Sequence, residues 1–229
     1  MTGAICLQGG AEFTHPCLAM DAELVRRAPG RVVVTALAGA VGSDYRTATA
    51  NGVRHFRDAG AVDVVAAPDA RVEADGASAA LSEARLVVLP GGSPSRLRAA
   101  LLETPVGALI RELLAAGVMV MGSSAGAMLL CEWTVLPEGG PRVASGLGCV
   151  PNALVLPHWT GSRAAWLGAV VSDVPAGADL LGIPECSGVL VEEGRLAGIG
   201  MAATTVLDRD GSVLRSVGPG DEWDRPRNR

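Results

Sequence analysis

Five short apolar runs recur along the first half of the chain, and each of the first four is followed by a stretch with helical spacing. The runs are rich in Val and lack alternation of polar and apolar residues, which predicts strands buried on both faces. Strands that alternate with helices predict a mostly parallel α/β sheet with helices on both faces. The predicted strands are 4–7, 31–37, 62–67, 85–90 and 117–122, and the predicted helices are 19–28, 44–59, 76–84 and 94–115, the last broken at Pro105.

The second half of the chain has a different pattern, dominated by loops and short strands. Residues 162–171 predict a helix, and turn residues at 193–194 and 210–211 predict two C-terminal β-hairpins. The last residues are Gly, Pro and charge, which is typical of a poorly ordered terminus. With no internal repeat and no linker, we predict one hydrolytic domain over residues 1–217 and a flexible tail over 218–229.

Composition excludes several classes of function. The net charge is −5 without basic blocks, so we expect no nucleic-acid partner. The 19 basic residues are all Arg, which excludes a Ser–Lys dyad, a Schiff base and a phosphate-loop lysine. Five Cys without a C-x-x-C pair, and a start with neither a basic leader nor a long apolar stretch, predict a cytoplasmic protein with reduced thiols.

Residues 113–131 form a run of 19 uncharged positions, long enough to suggest a membrane span. Small residues interrupt the run at its middle, and a strand, a tight turn and a helix start explain that pattern better. The turn, Gly122-Ser123-Ser124-Ala125-Gly126, fits G-x-S-x-G with Ser124 at the nucleophile position, after a predicted strand and before the helical run "AGAMLLCEW". Ser123 does not fit, because Met121 would replace the first Gly. The alternative is an ordinary turn of small residues.

A serine nucleophile needs a base, and in a chain without Lys the base should be one of three His. His55 lies in a predicted helix with polar neighbours and is interpreted as a solvated surface residue, and His15 as a structural loop residue. His158 follows an apolar run at a predicted strand end and is the candidate base. Glu185, the one charged residue between positions 180 and 191, is the candidate acid, because an unpaired carboxylate there would be costly. The alternative for Glu185 is a loop residue in water.

An oxyanion hole needs two backbone donors. The Ala125 N–H, directly after the nucleophile, is one candidate, and the Gly91-Gly92 pair after the fourth predicted strand offers the other. The alternative for the Gly pair is an ordinary turn between strand and helix. No G-x-G-x-x-G follows a predicted strand, and His15 and Cys17 have no third ligand nearby, so we expect no cofactor and no metal.

Four blocks, "LPGGSPSRL", "GSSAGAM", "PHWTGSR" and "GIPECSGVLV", occur in the order and spacing of a known family. Over roughly residues 3–206 the chain resembles the dipeptidase E (aspartyl dipeptidase) and cyanophycinase family of serine peptidases. The resemblance implies a class I glutamine-amidotransferase-like, flavodoxin-like fold. It also implies Ser124 as nucleophile, His158 as general base, Glu185 as acid, and Gly92 and Ala125 as oxyanion donors. An α/β-hydrolase, in which the acid precedes the His, would use Glu138 instead.

The chain departs from the family pattern where the substrate would bind. Pro184 replaces an Asp before the acid, Leu156 replaces an acidic residue two before the His, and Ser93 stands where Asn or Gln is usual. The basic cluster after the His is reduced to Arg163, which could hold a substrate carboxylate. Gly91, Ser93 and Arg163 are the candidate substrate-binding residues. The resemblance therefore indicates the type of reaction more strongly than the identity of the substrate.

The leading hypothesis is a serine peptidase that hydrolyses a small peptide or isopeptide amide through an acyl-enzyme. A second hypothesis is a non-catalytic relative that binds a small ligand or a partner. An amidotransferase-like domain acting on glutamine is disfavoured, because the predicted turn carries Ser and Cys131 is interpreted as a buried apolar residue. The apolar surplus would suit a homodimer.

Overall fold

A computed structural model describes residues 3–161 and 164–225. Within these ranges the chain forms seven α-helices and two β-sheets. The helices are α1 (Leu18–Arg27), α2 (Ser43–Asp58), α3 (Ala74–Ser82), α4 (Pro94–Glu103), α5 (Val106–Ala115), α6 (Ala125–Leu130) and α7 (Ala164–Val170). Short 3-10 helices cover His15–Cys17 and Val171–Asp173.

The strands of the first half lie inside the predicted runs or within one residue of them, which confirms the α/β fold class. They are β1 (Ile5–Gln8), β2 (Val32–Val34), β3 (Val64–Ala66), β4 (Leu86–Leu89) and β5 (Met119–Ser123). The strands of the second half are β6 (Cys131–Leu136), β7 (Arg142–Ser145), β8 (Val150–Pro157), β9 (Asp179–Ile183), β10 (Ser187–Glu192), β11 (Arg195–Gly200), β12 (Thr204–Leu207), β13 (Val213–Val217) and β14 (Glu222–Asp224).

The larger sheet has the strand order β14-β11-β10-β1-β5-β4-β2-β3. Its five N-terminal strands are parallel, while β10, β11 and β14 are antiparallel to their neighbours. The hairpin predicted at residues 193–194 joins β10 to β11, and the one at 210–211 joins β12 to β13 in the other sheet. Because the central strands are parallel, β1, β4 and β5 end along one edge.

Alternate side chains of the central strands pack on opposite faces of this sheet. Leu7 and Val87 belong to one apolar cluster, together with residues of α3 to α6. Cys6 and Val88 belong to the other, which Leu24 of α1 and Phe56 of α2 complete. Fully buried strands with helices on both faces explain why the sequence runs are apolar throughout rather than alternating.

A second, six-stranded sheet, which the sequence did not predict, has the order β13-β12-β9-β8-β6-β7. It is mixed, since β6, β8 and β9 are parallel and the other pairings are antiparallel. The sequence pattern was interpreted as one helix through Trp133. In the structure α6 ends at Leu130, and the chain continues directly as β6. All residues of α6 are buried, because it packs against β5 of one sheet and β6 and β8 of the other.

The C-terminal segment differs from the flexible tail predicted over residues 218–229. Strand β14 extends the larger sheet through β11. Beyond it, Arg225 donates from Nε to Asp179 Oδ2 at 2.5 Å and from Nη2 to Pro151 O at 2.7 Å. The chain up to Arg225 therefore links the edge of one sheet to β8 and β9 of the other. Residues 226–229 lie outside the described residues, and the single-domain assignment stays a prediction.

The apolar run that suggested a membrane span is divided among the end of α5, β5, α6 and the first residue of β6. In the described part of the chain, none of the helices combines the length and the apolar character that crossing a bilayer requires.

Replacing Arg225 tests whether the C-terminal segment contributes to stability. Its side chain is 10% exposed and that of Asp179 is 14% exposed, so Arg225→Ala leaves a nearly buried carboxylate unpaired. We expect a loss of about 2–4 kcal/mol in the free energy of unfolding by urea. The control Arg215→Ala, on the exposed face of β13, should change it by less than about 0.5 kcal/mol. Equal effects of the two variants would mean that the segment contributes nothing specific.

Candidate active site

Ser124 occupies a sharp turn between β5 and α6. Its backbone has φ 48° and ψ −111°, a conformation that non-glycine residues rarely adopt. A Cβ at Gly122 would lie 2.5 Å from the Gly126 carbonyl carbon, and one at Gly126 would lie 2.0 Å from Leu89 O. The glycines of the motif are therefore required by close packing of the turn against itself and against β4, which is how a nucleophile elbow exposes its serine.

The structure brings Ser124, His158 and Glu185 together. Ser124 Oγ lies 2.9 Å from His158 Nε2, and His158 Nδ1 lies 2.9 Å from Glu185 Oε1. A carboxylate can only accept a hydrogen bond, so Nδ1 carries a proton and its N–H donates a hydrogen bond to Glu185. In the neutral imidazole, Nε2 is then free to accept the Ser124 hydroxyl proton. This relay has the geometry in which a base activates a serine.

The Glu185 carboxylate is 60% exposed, and the His158 side chain is 33% exposed. The two interpretations that the sequence left open for Glu185 therefore both apply, because the residue lies in a loop that faces water and it also contacts the imidazole. The Glu185 carboxylate is not buried, so it needs no partner to offset a cost of burial. An exposed contact of this kind contributes little to the stability of the fold, so its role is to determine which ring nitrogen carries the proton.

Three successive carbonyls at the end of β1 hold the turns that carry these side chains. Gln8 O accepts from Ser124 N at 2.9 Å, Gly9 O from His158 N at 2.8 Å, and Gly10 O from Cys186 N, next to Glu185, at 3.0 Å. At Gly10, with φ 127°, a Cβ would lie 2.2 Å from His158 Cε1. The imidazole thus packs directly on bare backbone.

The Gly91-Gly92 turn after β4 approaches the nucleophile closely. A Cβ at Gly91 would lie 2.9 Å from Ser124 Cβ, and Gly92 has φ 138°. Among the described residues, neither the Gly92 nor the Ala125 N–H donates a hydrogen bond. The two amides predicted as oxyanion donors therefore have no acceptor within the described part of the chain, whereas the Gly91 N–H donates to a side chain.

That acceptor is Glu12, which the sequence analysis missed. Glu12 Oε1 accepts from the Gly91 N–H at 2.7 Å, and its Oε2 accepts from Ser123 Oγ at 2.8 Å. A signal was present in the sequence, since Glu12 follows the Gly9-Gly10 pair that ends the first predicted strand. The ends of parallel strands share one edge, so an acid there lies close to the nucleophile turn.

The remaining predicted site residues have other surroundings. Ser93 caps α4 by accepting from Arg96 N at 3.2 Å, and it donates to Glu138 Oε1 at 3.1 Å. Glu138 also accepts from Ser95, which lowers the pKa of its carboxyl. Glu138 thus lies at the start of α4, and His158 pairs with Glu185 instead, which argues against the α/β-hydrolase alternative. Arg163 lies outside the described residues.

The interpretation of His55 as a solvated surface residue is wrong. Its side chain is 5% exposed, and Nε2 lies 2.7 Å from Oδ2 of the fully buried Asp21. Burial raises the pKa of the Asp21 carboxyl, and the hydrogen bond with His55 opposes that shift. His15 is exposed in its 3-10 helix. Within the described residues, no three His, Cys, Asp or Glu side chains are grouped so that they could hold a metal ion.

Comparison with known proteins shows the family of the chain. The sequence profile of peptidase family S51 matches residues 31–199. The chain belongs to peptidase family S51. Family membership supports a serine-type peptidase, in agreement with the resemblance found in the sequence.

A curated relative agrees with this assignment, and two solved structures agree with the fold. The chain is 29% identical over 224 residues to a cyanophycinase of Synechococcus elongatus, covering 90% of this chain and 68% of that protein. A peptidase from an acI-B1 Actinobacterium has a TM-score of 0.79 at 22% identity, over 98% of this chain and 97% of that one. A putative peptidase E protein from Listeria monocytogenes EGD-e has a TM-score of 0.65 at 15% identity, over 88% of this chain and all of that one (100%). At these identities the two structures show the fold alone.

Gly10→Ala tests the packing of the imidazole on the end of β1. The new Cβ would overlap His158, so we expect the ring to move away from Ser124 and Glu185. The measurement is the set of ring ¹⁵N signals of the three histidines, in which the His158 signals should shift and those of His15 and His55 should not. Gly42→Ala is the control, because Gly42 also has a positive φ, of 96°, but open space around it. Unchanged His158 signals in folded Gly10→Ala would contradict the packing described here.

Proposed function

We propose that this S51 peptidase hydrolyses a small peptide or isopeptide amide bond through a Ser124-His158-Glu185 triad and an acyl-enzyme. The observation that carries the proposal is the unbroken relay of two 2.9 Å contacts, from the serine hydroxyl through the imidazole to the carboxylate. Its position at the end of the central parallel strands, where sites of α/β proteins collect, supports the same conclusion.

In the first half-reaction, Ser124 Oγ attacks the substrate carbonyl carbon while His158 Nε2 accepts the hydroxyl proton. Glu185 stabilises the imidazolium that forms through the Nδ1 hydrogen bond. His158 then gives the proton to the leaving amine, the C–N bond breaks, and the acyl group stays on Ser124. In the second half-reaction water attacks the ester carbonyl while His158 takes its proton. The bond to Ser124 Oγ then breaks, His158 returns the proton to that oxygen, and the acid product leaves.

The tetrahedral intermediates of both half-reactions carry a negative oxygen, which the Gly92 and Ala125 amides would bind. Their N–H groups have no other acceptor in the described residues, and Ala125 is the first residue of α6. An N–H at a helix start adds the partial positive charge of the helix terminus to the hydrogen bond. Preorganised donors of this kind stabilise charge that develops only in the transition state.

Membership of peptidase family S51 supports a peptide substrate, and Gly91, Ser93 and Arg163 remain the proposed binding residues. Pro184 and Leu156 stand where the family pattern has acidic residues, so we do not carry cyanophycin over to this chain. A screen of dipeptides and isopeptides identifies the substrate.

Ser124→Ala tests the nucleophile. We expect the rate of amide hydrolysis to fall by about 10³-fold to 10⁶-fold, because the remaining groups cannot form the acyl-enzyme. A fluorophosphonate probe should give a mass adduct on Ser124 of the wild-type protein and none on Ser124→Ala. The control is Ser172→Ala, which replaces an exposed serine in a 3-10 helix. This variant should keep the rate of amide hydrolysis and the adduct on Ser124. A folded wild-type protein without an adduct would favour the non-catalytic, ligand-binding alternative.

Glu185→Gln tests the acid. Because the carboxylate faces water, solvent can partly take over its role, and we expect the rate of hydrolysis to fall by about 10²-fold to 10³-fold, less than for a buried triad acid. Glu138→Gln, the acid of the α/β-hydrolase alternative, should leave the rate within about threefold, as surface changes do. The reverse order of effects would exclude Glu185 as the acid.

A further inference from the structure

Glu12 lies between the two backbone segments that would bind the oxyanion. One carboxylate oxygen accepts from the Gly91 N–H at 2.7 Å, and the other accepts from the Ser123 hydroxyl at 2.8 Å. Gly91 directly precedes Gly92, and Ser123 is separated from Ala125 only by the nucleophile. A single side chain therefore joins the turn that carries one proposed donor to the turn that carries the other.

The contact with Gly91 also determines which amide is free. In the Gly91-Gly92 turn the first N–H points to Glu12, while the second N–H has no acceptor among the described residues. Without Glu12, the peptide between Pro90 and Gly91 would lose the one hydrogen bond that it makes within the described residues. The turn would still be held after Gly92, where the Ser93 N–H donates to Ala38 O at 3.2 Å. Glycine backbone has access to many conformations, so the Gly92 N–H would be less closely fixed than with both contacts.

The loop that carries Glu12 is itself held in an unfavourable conformation. Ala11 and Phe13, on either side of Glu12, have φ of 57° and 64°. The Ala11 carbonyl accepts from Thr14 Oγ1 at 2.7 Å and from Cys17 Sγ at 3.1 Å, which fixes the loop locally. Strained residues that the surroundings hold in place are a feature of functional sites. The hydrogen bonds that hold this strained loop restrict where Glu12 can lie relative to Gly91 and Ser123.

We propose that Glu12 is a positioning residue for the oxyanion hole, acting through Gly91 and Ser123 on the Gly92 and Ala125 amides. The inference rests on the proposed serine-peptidase function of the same site. The negative charge of Glu12 would oppose a nearby oxyanion. The benefit of Glu12 therefore comes from a side chain long enough for its two oxygens to contact Gly91 and Ser123 at once. The length of the side chain and its charge can be tested separately, because one substitution shortens the side chain and another removes the charge.

Glu12→Gln keeps the reach and removes the charge. Its carbonyl oxygen can accept from the Gly91 N–H, and its NH₂ group can donate to Ser123 Oγ, which is also an acceptor. Glu12→Asp keeps the charge, but a side chain one methylene shorter cannot span both donors. Ser123→Ala removes one of the two donors and leaves the other. Glu112→Ala, an exposed glutamate of α5, is the control.

The experiment measures the second-order rate constant with which a fluorophosphonate labels Ser124, since that reaction also places a P=O oxygen in the oxyanion hole and needs no known substrate. We expect Glu12→Asp to slow labelling by about 10- to 100-fold, because small displacements of oxyanion donors are costly. Glu12→Gln and Glu112→Ala should stay within about threefold of wild type. With a substrate from the peptide screen, Glu12→Asp should lower kcat and leave KM nearly unchanged.

Ser123→Ala should slow labelling by about 3- to 10-fold, and it should add less than this in a Glu12→Asp background, because the two residues act through one contact. If Glu12→Asp does not fold, Ser123→Ala decides alone. Wild-type rates in folded Glu12→Asp, or a loss in Glu12→Gln as large as in Glu12→Asp, would overturn the proposal. A lower melting temperature with an unchanged labelling rate would assign Glu12 a structural role only. An unlabelled wild-type protein would instead contradict the serine-peptidase function itself.

Discussion

The end of β1 holds the site together through backbone hydrogen bonds. The carbonyls of Gln8, Gly9 and Gly10 accept in turn from the elbow, from His158 and from the residue after Glu185. The elbow follows β5 and Glu185 precedes β10, and both of these strands pair with β1. His158 instead follows β8 of the second sheet, and its N–H reaches the end of β1 at Gly9 O. The geometry of the relay therefore depends on how both sheets pack in the core.

Backbone strain in the described residues is concentrated around this strand end. Ser124, His158 and Cys186 have φ of 48°, 52° and 48°, each costing about 1–3 kcal/mol relative to a relaxed conformation. Each of the three N–H groups donates to β1 or to the loop that directly follows it. The sheet therefore holds these residues in backbone conformations that they would leave in a free loop. As a result, the hydroxyl, the imidazole and the acid lie at hydrogen-bonding distance without a substrate.

The sequence predicts the parts of the molecule that local patterns determine. Strands buried on both faces have continuous apolar runs, and the elbow needs Gly122 and Gly126 because its backbone is so closely packed. Features that depend on distant partners were not predictable in this way. The partners of Glu12 lie 79 and 111 residues away in sequence, and Asp21, which makes His55 a buried residue, lies 34 residues from it. The second sheet was missed because β6 continues a pattern with helical spacing directly after α6.

Orientation of the imidazole does not depend on the exposed acid alone. The backbone N–H of His158 is bound by Gly9 O, and the ring lies against the bare Cα of Gly10, where a side chain would displace it. Two backbone constraints from β1 thus fix the position of the ring, and Glu185 adds the choice of tautomer and the stabilisation of charge. A carboxylate with those two roles can face water, because both act through a single hydrogen bond to Nδ1. The rigid contacts come from the buried strand end, and the exposed carboxylate of Glu185 adds one side-chain hydrogen bond to them.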